Sequence, residues 1–113
     1  MSKYVIADLK LVPIIGGASA RFIHGNGFTL AFWEIQPGAH FPPHSHIHEM
    51  TVNVRKGRIN LKIHGGEVLL YAGESYLIGP GVEHEALALE YSEVIDVFTP
   101  VREDYRKIEN EYR

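Results

Sequence analysis

Between Gly16 and Pro100, glycine and proline interrupt the chain so often that little helix has room to form, and short extended segments are left. Gly25-Asn26-Gly27 stands between Arg21–His24 and Phe28–Gln36, a strong hairpin signal. Arg58–His64 alternates, with Ile59, Leu61 and Ile63 against Arg58, Asn60 and Lys62, which is the period of a strand with one buried face. Gly65-Gly66 turns it into Glu67–Tyr71. Further strands are expected over Ser75–Ile78, His84–Glu90 and Glu93–Phe98, divided by Gly79-Pro80-Gly81 and by Tyr91-Ser92. Many short strands with frequent turns predict an all-β sandwich or barrel. After Pro100 the chain becomes VREDYRKIENEYR, a charged segment expected to form a short surface helix or to fray.

With 113 residues and no repeat or linker, residues 1–113 are expected to be a single domain. Its barrel core spans about 20–100, followed by the charged segment 101–113. A net charge of −3 argues against a nucleic-acid partner, because no basic surplus exists to displace counterions from phosphates. No apolar run approaches a membrane span and the first residues lack a signal peptide's apolar stretch, so a cytoplasmic location is expected. The absence of cysteine removes disulfides and thiolate metal sites.

Chemistry concentrates in GAHFPPHSHIHEMTVNVRKG, Gly38 to Gly57. His44, His46 and His48 occupy every second position after a Pro-Pro pair. On an extended strand they share one face with Met50, Val52 and Val54, while Glu49 and Thr51 point away. Imidazole is the commonest protein ligand for transition metals, so His44 and His46 are candidate ligands. His84, placed by the rigid Gly79-Pro80-Gly81 turn, is the candidate third. Three neutral imidazoles leave positions open for water or substrate. His48 is an outer ligand, a substrate contact or a support for the ligands, and it is taken with Trp33 as a pocket residue. His24, His40 and His64 read as ordinary surface or core histidines.

Gly38-(five residues)-His44-Ser45-His46, closing on Gly57, resembles the first motif of the cupins. Gly73 to His84 resembles the second, with Gly79 where proline is usual. The resemblance implies a six- to eight-stranded jelly-roll barrel with a divalent transition metal (Zn, Ni, Fe, Mn or Cu) in its mouth. Met50 stands where cupins usually supply glutamate or glutamine. Its thioether is a soft, weak ligand, so a three-histidine site is expected, with Met50 as an apolar wall rather than a fourth ligand. Loss of that carboxylate lowers metal affinity and favours an anionic substrate.

In Glu93–Arg102 the residues Val94, Asp96 and Phe98 share a face. Asp96 is either a proton-transfer group inside the barrel or a water-facing residue of an edge strand. Arg102 is either a fork for a substrate carboxylate or part of a solvated tail. DVFTPVREDY, together with PHSHIHE, resembles the pectin-degradation cupins, which open unsaturated monouronates from pectin or alginate breakdown to linear keto acids. That resemblance makes Asp96 the proton-transfer residue, Arg102 the carboxylate binder and Phe98 a pocket wall. Rival expectations are a three-histidine metal dioxygenase and a non-catalytic small-ligand-binding cupin. Ile95, Val97, Leu87 and Leu89 lie on outward faces and predict a homodimer.

Overall fold

The computed structural model describes residues 1–113. Ten strands run in chain order: β1 Val12–Ile15, β2 Ala18–His24, β3 Thr29–Ile35, β4 His40–His44, β5 Glu49–Lys56, β6 Arg58–Ile63, β7 Gly66–Tyr71, β8 Ser75–Ile78, β9 His84–Ala88 and β10 Ser92–Thr99. A 3-10 turn at Ile6–Asp8 precedes them and helix α1, Glu103–Glu111, follows. The strands form a six-stranded sheet, β1-β2-β3-β10-β5-β8, and a four-stranded sheet, β4-β9-β6-β7; every pairing is antiparallel. No helix is long and apolar enough to cross a membrane.

Alternation sends one side chain in two into the space between the sheets. Met50, Val52 and Val54 of β5, Ile59, Leu61 and Ile63 of β6, and Val94 and Phe98 of β10 are all buried there. Strand ends are set by turn chemistry. The predicted hairpin joins β2 to β3, closed by the Gly25 N–H on the Phe28 carbonyl at 2.9 Å. His64 and Gly65, both at positive φ, form the two-residue turn from β6 to β7. Gly57 alone links β5 to β6 at φ +89°, and a Cβ there would collide with the Tyr91 carbonyl and Ser92 Oγ. Only glycine suits that conformation and that approach.

The architecture departs from the sequence reading in two places. Ten strands replace the expected six to eight, because Val12–Ile15 pairs with β2 despite Pro13 and carries the core back to the fully buried Val12, well before residue 20. The histidine run is not one strand. Pro42 and Pro43 have no N–H for a ladder, so β4 is confined to a sheet edge with a register irregularity between Phe41 and His44. The chain then crosses from the four-stranded to the six-stranded sheet through residues 45–48. The charged tail takes the helical one of its two expected states, and contacts pin it to the barrel. Lys10 Nζ donates to the carbonyls of Glu109 and Tyr112 at its C-terminal end, at 2.6 and 2.9 Å, and Tyr105 packs on Phe22, Trp33 and Phe98.

Candidate active site

Crossing between sheets is what gathers the histidines. His44, the last residue of β4, lies opposite His84, the first of β9. Their rings are 4.3 Å apart, and that of His46 lies 5.8 Å from His44 and 5.1 Å from His84. The turn before His84 also holds His46, since the Gly81 N–H donates to the His46 carbonyl at 2.8 Å. One ring nitrogen from each of the three lies within 4.8 Å of the others.

Hydrogen bonding decides what those nitrogens offer. His44 Nδ1 lies 2.7 Å from the Pro42 carbonyl and His84 Nδ1 lies 2.9 Å from that of Val82. A carbonyl only accepts, so each Nδ1 carries the proton and each Nε2 presents a lone pair. Both ring nitrogens of His46 are buried with no partner. Burial, with Arg102 and the neighbouring histidines adding to it, pushes the His46 pKa down to about 4. Burial likewise lowers that of His84, against the hydrogen bond to Val82. A free Nε2 on His44 and His84 and a buried His46 ring with no partner are what a metal binds, so the residues fit a divalent transition ion.

Beside this cluster is a cavity whose wall includes Trp33, Met50, Asp96, Phe98, Arg102 and Tyr105. Trp33 Nε1 donates to Asp96 Oδ2 at 2.9 Å, whereas Oδ1 is buried without a partner. Burial raises the Asp96 pKa to about 7, although the Trp33 hydrogen bond and the charge of Arg102 both oppose the rise. Arg102, 6% exposed, immediately precedes α1. Asp104 grips it at two points, 2.9 Å from Nε and 2.7 Å from Nη2. The guanidinium lies 3.8 Å from the Tyr105 ring centroid and 4.6 Å from that of Phe98. Burial works against its charge, but Asp104 outweighs that, and Arg102 stays cationic.

Asp96, Phe98, Arg102, Trp33 and Met50 therefore share one cavity with His44, His46 and His84. His48 does not line it. It sits behind His46 and Phe98, with Nε2 3.2 Å from the Val101 carbonyl, and ties the crossing segment to the chain before α1. The reason is again the corner: strand parity does not extend from β4 into residues 45–48. Tyr105 was missed as a cavity residue, and so was the grip of Asp104. The acidic-aromatic pair after Arg102 was their only trace in the sequence.

The cupin domain family matches residues 31–98. Among curated proteins no sequence matches. Of solved structures, KdgF from Halomonas sp. is 25% identical with a TM-score of 0.87, covering 93% of this chain and 98% of its own. An RmlC-like cupin from Shewanella frigidimarina is also 25% identical, with a TM-score of 0.85 over 90% of this chain and 93% of that one. Ectoine synthase from P. lautus shares the fold at 20% identity, with a TM-score of 0.79 over 98% and 86% of the two chains. With its jelly roll of two antiparallel sheets and its three clustered histidines, the chain belongs to the cupin family.

Proposed function

We propose that this cupin opens an unsaturated monouronate and converts it to the linear keto acid. The observation that carries the reading is the shared cavity, which holds a carboxyl with one free buried oxygen, a cationic fork and three metal-competent imidazoles. The likeness to KdgF, a pectin-degradation cupin, supports the same reading.

The residues divide the work by their chemistry. Arg102 has Nη1 and one Nη2 N–H left after Asp104, enough to take a substrate carboxylate. Phe98 and Trp33 give the flat walls against which a ring is held. A divalent transition ion on His44, His46 and His84 would supply a Lewis acid that polarises substrate oxygen. Asp96 moves the proton. In the ring, the hemiacetal carbon–oxygen bond breaks, its hydroxyl becomes an aldehyde and the ring oxygen leaves as an enol. Protonated Asp96 then gives its proton to the far carbon of the double bond, the enol oxygen becomes the ketone, and the proton shed by the substrate restores Asp96. Product and substrate are isomers, so neither oxidant nor water is consumed. A carboxyl with a pKa near neutrality is suited to both giving and receiving.

Loss of the ultraviolet absorbance of the conjugated double bond measures turnover. Wild-type protein is expected to remove it, and Asp96→Asn and Arg102→Ala, still folded, are expected not to. Unchanged turnover in both variants would sink the assignment. A second reading, a ligand-binding cupin without turnover, is supported by Met50 in place of a stronger ligand; absence of turnover with retained uronate binding would favour it. Oxygen uptake with any substrate would instead favour a dioxygenase.

The same reading includes a homodimer. Ile23, Leu30, Val97, Thr51 and Leu77 stand in one row across the outer face of the six-stranded sheet, with Phe32 beside Ile95 in the next. Leu87 lies on the other sheet, so the outward residues named from sequence do not form one patch. Light scattering at micromolar concentration is expected to give twice the chain mass, and a monomer would contradict it.

A further inference from the structure

We propose that Trp33 is a positioning residue that selects which oxygen of Asp96 carries the transferable proton, by holding Oδ2 as an acceptor and leaving Oδ1 to bear it. This rests on the reading of Asp96 as the proton-transfer group, and the pairing itself is testable without any substrate.

Indole N–H is a donor and nothing else. At 2.9 Å from Trp33 Nε1, Oδ2 must therefore accept, so the proton of a neutral Asp96 resides on Oδ1. Oδ1 is the oxygen that has no partner in the protein. A free carboxylic acid can protonate either oxygen and turn; this one is restricted to a single oxygen in a fixed direction.

The strand register builds this arrangement. Asp96 of β10 lies opposite Ala31 of β3, while Trp33 lies opposite Val94. Ala31 takes almost no room, so the indole reaches Asp96 along the diagonal, a distance that only a long side chain covers. The indole cannot easily turn away. It is 3% exposed and is met edge-on by Phe41 at 5.2 Å and by Tyr105 at 6.1 Å. On the far side of Asp96, β5 presents Val52, which cannot compete for the proton. Arg102 and Tyr105 face the cavity from the C-terminal segment, and the three histidines face it from β4, β9 and the crossing between sheets. None of them makes a hydrogen bond to Asp96.

Trp33 is the chain's one tryptophan, so its indole proton gives a single resonance in a nitrogen-correlated NMR spectrum. With Zn(II) added as a diamagnetic ion, that resonance is expected to shift with pH along the titration curve of the Asp96 carboxyl carbon. In Asp96→Asn the step is expected to vanish. Trp33→Phe removes a donor that favours the carboxylate, so the Asp96 midpoint is expected to rise and kcat to fall with little change in KM. An indole resonance indifferent to pH while Asp96 titrates, or an unmoved Asp96 midpoint in Trp33→Phe, would overturn the proposal. Coupled titration in a protein that leaves uronates untouched would retain the pairing and reject the substrate.

Discussion

Replacing Asp96 by Asn changes how stability depends on pH, by an amount that follows from the burial of one carboxyl. An aspartate with an ordinary pKa of 3.8 is raised to about 7 in the fold, chiefly by loss of water. Below about pH 4 the group is protonated in both the folded and unfolded chains and has no effect. As pH rises, the unfolded chain releases its proton first, so the folded state holds more protons and stability falls. The loss is complete once pH passes about 7. Roughly 3 pKa units at 1.36 kcal/mol each make it about 4 kcal/mol, a large part of the stability of a small domain. Asparagine carries no charge and still offers an oxygen to the Trp33 N–H. Urea unfolding of both proteins, from pH 4 to 8 and with chelator present, is the assay. The variant is expected to gain on the wild type steadily up to about pH 7. Parallel curves would show that Asp96 is solvated and would refute the argument from burial, whatever the enzyme does.

Elsewhere, Gly57→Ala forces both a left-handed backbone and a collision with Tyr91 and Ser92, and is expected to cost about 3 kcal/mol in urea unfolding. Elemental analysis of the purified protein is expected to find about one transition metal per chain, absent from a His44→Ala/His46→Ala variant; an equal content in both would place the ion elsewhere. Arg102→Ala deletes a charged fork worth about 3 kcal/mol to a bound carboxylate, so the Kd of the uronate in calorimetric titration is expected to rise about 100-fold, with no such penalty for a neutral analogue.

Alternation within a single strand was legible in the sequence, and the corner where the chain changes sheet was not. Parity along β10 correctly put Val94, Asp96 and Phe98 on one face, because that strand is regular and central, with neighbours on both sides. His44 and His46 do converge, but the same rule carried on to His48 fails, since parity has meaning only within one strand and the chain changes sheet after His44. His84 was nonetheless found, because the glycine-proline turn that sets it is local. Tyr105 and Asp104 could not be derived from periodicity: α1 has a strongly charged sequence and no buried residue, and its place is fixed by contacts with Phe22, Trp33 and Lys10, far away in the chain. Outward residues were legible strand by strand. Their distribution over two sheets was not, because topology, rather than pattern, assigns Ile95 and Leu87 to opposite sides of the molecule.

Conversion of an unsaturated monouronate in deuterium oxide tests the central claim most directly, with the product examined by NMR. Delivery from the fixed Asp96 Oδ1 predicts one deuteron in a single configuration at the carbon beside the new ketone, and neither ring opening nor label above background in Asp96→Asn. An unopened ring, or both configurations in equal amount from the wild type, would contradict the account.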